Sequence, residues 1–252
     1  MDRMIHLSLN SLDIALRKQA VSAQNLSNMH VTGYRADVYE NFGSLYLDAE
    51  EQLNSRAFAV TSGSGAFDIA QGRMRSTQQP TDMAIDGPGF FVTKKEGLEP
   101  SLTRRGDMSV SIEGILVNGA GDPILSETLQ NIQVPPFREL ILAEDGKLLI
   151  EPINGEPGVR QLIGSLGLVS GENLELRKGL DGEIRPADGA PIVTDQNVNV
   201  KQGYIEESNV SVINELVASM GYQRSYEMNM KLIKMASELD QQTSSLLRMP
   251  QN

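Results

Sequence analysis

Two histidines, His6 and His30, are the whole imidazole supply of this 252-residue chain, and it contains no cysteine. Disulfides, thiolate metal sites and cysteine nucleophiles are thereby excluded. His6 falls one residue off an apolar helical stripe and His30 just past its end, positions that suit surface or interfacial residues better than ligands. Asp82 and Asp86 are the nearest approach to a carboxylate pair, but they sit in a strand-to-turn pattern that favours a solvated turn. Gly63-Ser64-Gly65 and Gly87-Pro88-Gly89 are too short to cradle a phosphate, and no Gly-Lys-Ser/Thr follows a glycine loop. No Gly-x-Ser-x-Gly elbow occurs. Asn25-Leu26-Ser27 and Asn209-Val210-Ser211 match the glycosylation pattern but lie in helix-forming sequence. These residues assign no catalytic, cofactor or metal site.

The elements that would position any chemistry are more informative. Lys and Arg number 22 against 33 Asp and Glu, a net charge of −11 that repels phosphate and disfavours nucleic acid as a partner. The charge is uneven: residues 36–203 carry all of it (14 − 25 = −11), while the two ends sum to +2 and −2. The same middle stretch holds 21 of 23 glycines and 10 of 11 prolines. No apolar run approaches the ~20 residues of a membrane-spanning helix. Met1-Asp2-Arg3 and the charges at Asp13, Arg17 and Lys18 do not read as a cleaved signal peptide.

In the first segment Ile5, Leu9, Leu12, Leu16, Ala20 and Ala23 recur with a mean step of 3.6, one apolar stripe on an α-helix. Asp2 is placed to cap its start, with Asn28 and Gly33 at its end. The last segment repeats the design in Ile213, Val217, Met220, Arg224, Met228, Leu232, Met235 and Leu239. Its mean step of about 3.7, counted to Leu246, exceeds the 3.5 of a left-handed supercoil. Between the ends, Asp-Gly at Asp86, Asp145, Asp181 and Asp188 and Asn-Gly at Asn118 and Asn154 punctuate short apolar runs, the pattern of antiparallel hairpins. Residues 1–35 and 204–252 are thus expected as assembly helices, 36–79 as an extended linker and 80–203 as a β-rich domain. Each stripe must be buried against something. An intramolecular helical hairpin and completion by neighbouring copies satisfy that need equally.

Four stretches carry a resemblance. Ala20-Val21-Ser22-Ala23-Gln24-Asn25-Leu26-Ser27-Asn28, followed by Thr32-Gly33-Tyr34, is the first. Pro80 to Val92, with Asp86-Gly87-Pro88-Gly89-Phe90-Phe91 inside it, is the second. Thr103-Arg104-Arg105-Gly106-Asp107-Met108 with Gly114 to Gly119 is the third. Gln202 to Val210 with Gln223-Arg224-Ser225-Tyr226-Glu227-Met228-Asn229 is the fourth. In this order they resemble the flagellar rod and hook family, in which Ala-Asn-Asn-Leu-Ala-Asn precedes Thr-Gly-aromatic; Gln24 and Ser27 depart from that pattern.

The resemblance implies an α+β protein whose long terminal helices pack together, coiled-coil-like and completed by neighbouring subunits, around a central antiparallel β domain. It implies a non-enzymatic rod subunit, proximal by its opening and its Leu246-Leu247-Arg248-Met249-Pro250 ending, with a distal rod subunit as the alternative. The expected tube transmits torque in the periplasmic part of the basal body, after passage through the flagellum's own export apparatus without signal cleavage. Its partners would be copies of itself and related axial proteins, with no small-molecule substrate. Subunit packing would then fall to both stripes, with Asn25 and Asn28 bonding main chain where the first helix ends and Gly33 supplying a positive φ. A reading of a different class, a secreted wall-active enzyme with helical docking arms, requires a pocket of converging acid and base groups.

Overall fold

The computed structural model describes residues 2–39, 43–46, 57–60, 65–143, 145–172 and 174–247; for helix residues 2–6, 240 and 244–247 and for both short strands in 43–60 it describes the backbone alone. The tail beyond residue 247 and most of the Ser62-Gly63-Ser64-Gly65 stretch lie outside the described residues. A 26-residue helix α1 (Asp2–Ser27) opens the chain and a 36-residue helix α2 (Val212–Leu247) ends the described part. At 1.5 Å per residue these are about 39 and 54 Å long.

Among the described residues sixteen strands lie between them: β1 (Gly43–Tyr46), β2 (Ala57–Val60), β3 (Met74–Ser76), β4 (Met83–Asp86), β5 (Gly89–Thr93), β6 (Ser101–Thr103), β7 (Met108–Val110), β8 (Leu116–Asn118), β9 (Phe137–Leu142), β10 (Lys147–Pro152), β11 (Gln161–Ser165), β12 (Leu168–Ser170), β13 (Leu176–Lys178), β14 (Ile184–Pro186), β15 (Asn199–Gln202) and β16 (Tyr204–Glu206). The chain divides into two compact units. One joins both helices to residues 37–63, where β1 and β2 pair antiparallel; the other comprises residues 28–36 and 64–210.

The second unit is wholly antiparallel but not one sheet. It combines a five-stranded sheet (β12-β5-β6-β14-β13), a three-stranded sheet (β11-β10-β9) and the pairs β15-β4, β16-β3 and β7-β8. Glycines at the expected turns supply the left-handed backbone that tight hairpins need, as at Gly146 (φ 79°) after Asp145 and Gly182 (φ 81°) after Asp181. Strand β5 is buried on both faces. Phe91 enters a core with Met83, Ile85, Leu116, Leu148 and Leu166, and Phe90 enters a second with Phe67, Val92, Leu102 and Ile184. Neighbouring strand residues point oppositely, so both rings are spent on cores and neither is left for a partner.

The content is α+β, but the expected arrangement is corrected. The helices do not form a coiled-coil-like pair around one central β domain. They pack on each other inside a unit of their own, and the β region forms a separate unit of several small sheets. A coiled coil also needs large apolar side chains at its seam. Here the most buried positions on α1 are Ser8, Ala15, Ser22 and Asn25, and on α2 Asn229 and Ala236.

Candidate assembly surface

The α1–α2 seam is polar. Ser22 Oγ donates to the Glu215 carbonyl at 3.1 Å, Asn25 Nδ2 donates to Glu215 Oε1 at 2.8 Å, and Asn229 Nδ2 donates to Ser11 Oγ at 3.0 Å. Asn25, 1% exposed, also brackets Asp37: its Nδ2 donates to the Asp37 carbonyl at 3.0 Å and its Oδ1 accepts the Asp37 N–H at 2.8 Å. One amide thus ties the last turn of α1 to α2 and to the chain returning at residue 37. Small and polar side chains bury little apolar area, so directional bonds set the register of this pair more than hydrophobic gain does.

The apolar stripes face the other way. On α1, Leu9 and Leu16 are nearly half exposed, Ala20 and Ala23 are exposed and Leu12 is half-buried; the Ile5 side chain lies outside the described set. On α2, Ile213, Val217, Met220, Met228, Leu232, Met235 and Leu239 are all exposed, from 39% at Leu232 to 75% at Ile213, and so is Arg224. Leu7, Leu216 and Met230 are also exposed. The helices therefore meet within the chain, but not through the stripes that sequence periodicity marked.

Beyond α1 the chain turns twice, Val31 N–H donating to the Asn28 carbonyl at 3.0 Å and Tyr34 N–H to the Val31 carbonyl at 3.2 Å. Asn28 itself is half-buried. Gly33 follows at φ 67°, and its N–H donates to the Glu206 carbonyl at 2.7 Å. A Cβ there would stand 2.3 Å from the Arg104 carbonyl carbon, so both conformation and space require glycine.

Sequence reasoning missed what surrounds Gly33. Glu206 is fully buried, its Oε1 2.7 Å from Arg35 Nη1 and its Oε2 3.4 Å from Arg104 Nε. Both arginines are also buried. Gly72 N–H donates to Glu206 Oε1 at 2.7 Å, and Arg35 Nη1 also donates to the Ala70 carbonyl. Arg104 donates to the carbonyls of Ile85 (3.3 Å) and Gly87 (2.6 Å) and lies over the Phe90 ring, 5.6 Å from its centre. Burial pulls both guanidinium groups below their ordinary range, with Glu206 opposing the fall; Arg104 comes down to about 10 and so stays charged near neutrality. Asn209 completes the clasp: Oδ1 accepts the Ala36 N–H at 2.7 Å, and Nδ2 donates to the carbonyls of Asp68 and Ala70 at 3.0 Å each. The signal was present, since Arg35 adjoins Thr32-Gly33-Tyr34 and Arg104 and Glu206 lie inside the quoted motifs. Nothing in one sequence says that charges 69 and 171 positions after Arg35 meet it.

Comparison with known proteins finds similarity at two segments and along the chain. Residues 84–150 match the family described as flagellar hook protein FlgE/F/G D1 domain, and residues 201–246 match flagellar basal body rod FlgEFG protein C-terminal. The flagellar basal-body rod protein FlgF of Salmonella typhimurium is 28% identical over 99% of this chain and 100% of its own length. The FlgF of Escherichia coli is 29% identical over the same shares. A FlgG of Buchnera aphidicola subsp. Schizaphis graminum is 29% identical over 95% of this chain and 98% of its own. Arg104 falls in the first matched segment and Glu206 in the second. These matches bear out the resemblance that the motifs carry: the chain is similar, along nearly its whole length, to basal-body rod proteins of the flagellar rod and hook family, FlgF among them.

Proposed function

We propose that this structural subunit of the flagellar basal-body rod joins its axial neighbours, copies of itself and related rod proteins, through the outward apolar stripes of α1 and α2. The observation that carries this reading is the line of exposed side chains from Ile213 to Leu239, joined by Leu9 and Leu16. Covering one large apolar side chain is worth about 1.5–3 kcal/mol, so a surface of this size is costly to leave in water. To it we assign Leu9, Leu12, Leu16, Ala20 and Ala23 on α1 and Ile213, Val217, Met220, Arg224, Met228, Leu232, Met235 and Leu239 on α2, with Ile5 added from its sequence spacing alone. Asn25, Asn28 and Gly33 act behind it, holding the base of α1 in place.

Gly221 supports the same reading. It lies inside α2, where glycine costs about 1 kcal/mol relative to alanine, yet a Cβ there would meet nothing within 4 Å in the chain itself. The space suits close approach of a neighbouring backbone. Gly221→Ala should therefore stabilise the purified chain by about 1 kcal/mol in thermal unfolding while impairing swimming; normal motility would remove this role from Gly221.

The finer reading is a non-enzymatic subunit of a torque-bearing helical tube in the periplasmic rod, reached through the flagellar export apparatus without a cleaved signal. Support comes from the relatives, which carry rod-protein names over their full lengths. The absence of cysteine from the chain makes a direct test simple. Leu16→Cys and Met220→Cys, each alone and each labelled with a thiol-attached photocrosslinker, should crosslink on illumination to another axial protein in isolated basal bodies. Rods that contain the variant chain and yield no crosslink at either position would refute the packing assignment.

A further inference from the structure

The β unit is closed by its last-made segment. Strand β16 pairs with β3 and β15 with β4, so residues 199–206 of a 252-residue chain seal against residues 74–86. Val198 and Val200 enter the core with Met83 and Ile85. Gly203 accepts the Thr77 N–H at 2.9 Å and donates to the Asp82 carbonyl at 2.7 Å, and Gln202 Nε2 donates to the carbonyls of Pro80 (2.7 Å) and Leu140 (2.6 Å). Among the described residues Glu206 supplies the one carboxylate in contact with both Arg35 and Arg104; Asp68 and Asp86 act on them through space. Before that carboxylate arrives, closing the unit would bury two cations with no counter-charge in contact. An uncompensated buried charge costs several kcal/mol.

We propose that Glu206 is a folding latch: the β unit stays open until residues 199–209 are available, and its docking between Arg35 and Arg104 limits the rate of closure. A chain delivered from its N-terminus therefore cannot lock its β unit prematurely. When the latch closes, the segments leading from α1 and into α2 are fixed together in one step, through the Gly33–Glu206 and Ala36–Asn209 bonds.

Refolding kinetics of the full chain, followed in the β unit across a urea series, test this. Glu206→Gln should slow refolding about tenfold or more, because docking lies at the barrier. Glu207→Gln, which removes an exposed pair with Arg75, should leave the rate within about twofold. The compensated variant Arg35→Met/Arg104→Met/Glu206→Met should refold at close to the wild-type rate, since apolar replacement of a buried ion cluster is tolerated. The latch is overturned if Glu206→Gln refolds at the wild-type rate and only unfolds faster, or if Glu207→Gln slows refolding equally. Should Glu206→Gln fail to fold, folding of the compensated variant supports the latch, and its failure refutes it.

Discussion

Cells whose only copy of this protein carries Val217→Gln, Met228→Gln and Met235→Gln are expected to be non-motile and to lack completed rods, although the purified chain unfolds as the wild type does. All three side chains are more than half exposed, so nothing inside the chain depends on them. Glutamine keeps the helix propensity of methionine and exceeds that of valine, so the intrinsic stability of α2 is preserved. Surface changes of this kind usually stay within about 0.5 kcal/mol. Against a neighbour, however, each replaced residue forfeits about 1.5–3 kcal/mol of apolar burial. Three together weaken association by on the order of a thousandfold or more. Motility assays, electron microscopy of basal bodies and urea unfolding of the purified chain check the two halves. Swimming cells would show that the face does not pack. A collapse of the purified chain would show that it packs internally.

Gly33→Ala is expected to act on the other side of the molecule's economy, by destabilising the β unit itself. Alanine in the left-handed region costs roughly 1–2 kcal/mol. The added carbon would also meet the main chain at Arg104 and Arg105 within 2.5 Å, where no flexible side chain can yield. Relief requires the backbone to move, which breaks the 2.7 Å bond from Gly33 to Glu206 and disturbs the ion cluster beside it. A total loss of about 3 kcal/mol or more, read as a lower urea midpoint, is the expected outcome. A variant as stable as wild type would mean that the clasp tolerates displacement at its centre.

The sequence made some of this legible for identifiable reasons. A mean spacing of 3.6 identifies α1, and Asp-Gly pairs such as those at Gly146 and Gly182 mark real hairpin corners. The face by which the helices meet was not legible. Large apolar residues announce a surface that avoids water but not which partner covers it, and the true seam of Ser8, Ala15, Ser22, Asn25 and Asn229 has no hydrophobic signal to detect. The coiled-coil expectation failed for this reason: it had the helices pack together through large apolar side chains with neighbours completing the contact, whereas they meet through small and polar ones. The clasp was hidden differently. Arg35, Arg104 and Glu206 each look like an ordinary surface charge in sequence, and only the β16–β3 pairing and the turn at Gly33 bring them out of solvent.

The bonds that Gly33 and Ala36 make with Glu206 and Asn209 have a mechanical consequence. Tension between residues 33–36 and residues 206–209 can cross through three hydrogen bonds (Gly33 to Glu206, Ala36 to Asn209 and Asn209 to Tyr34) and the Arg35–Glu206 ion pair, bypassing the roughly 170 residues of backbone between those anchor points.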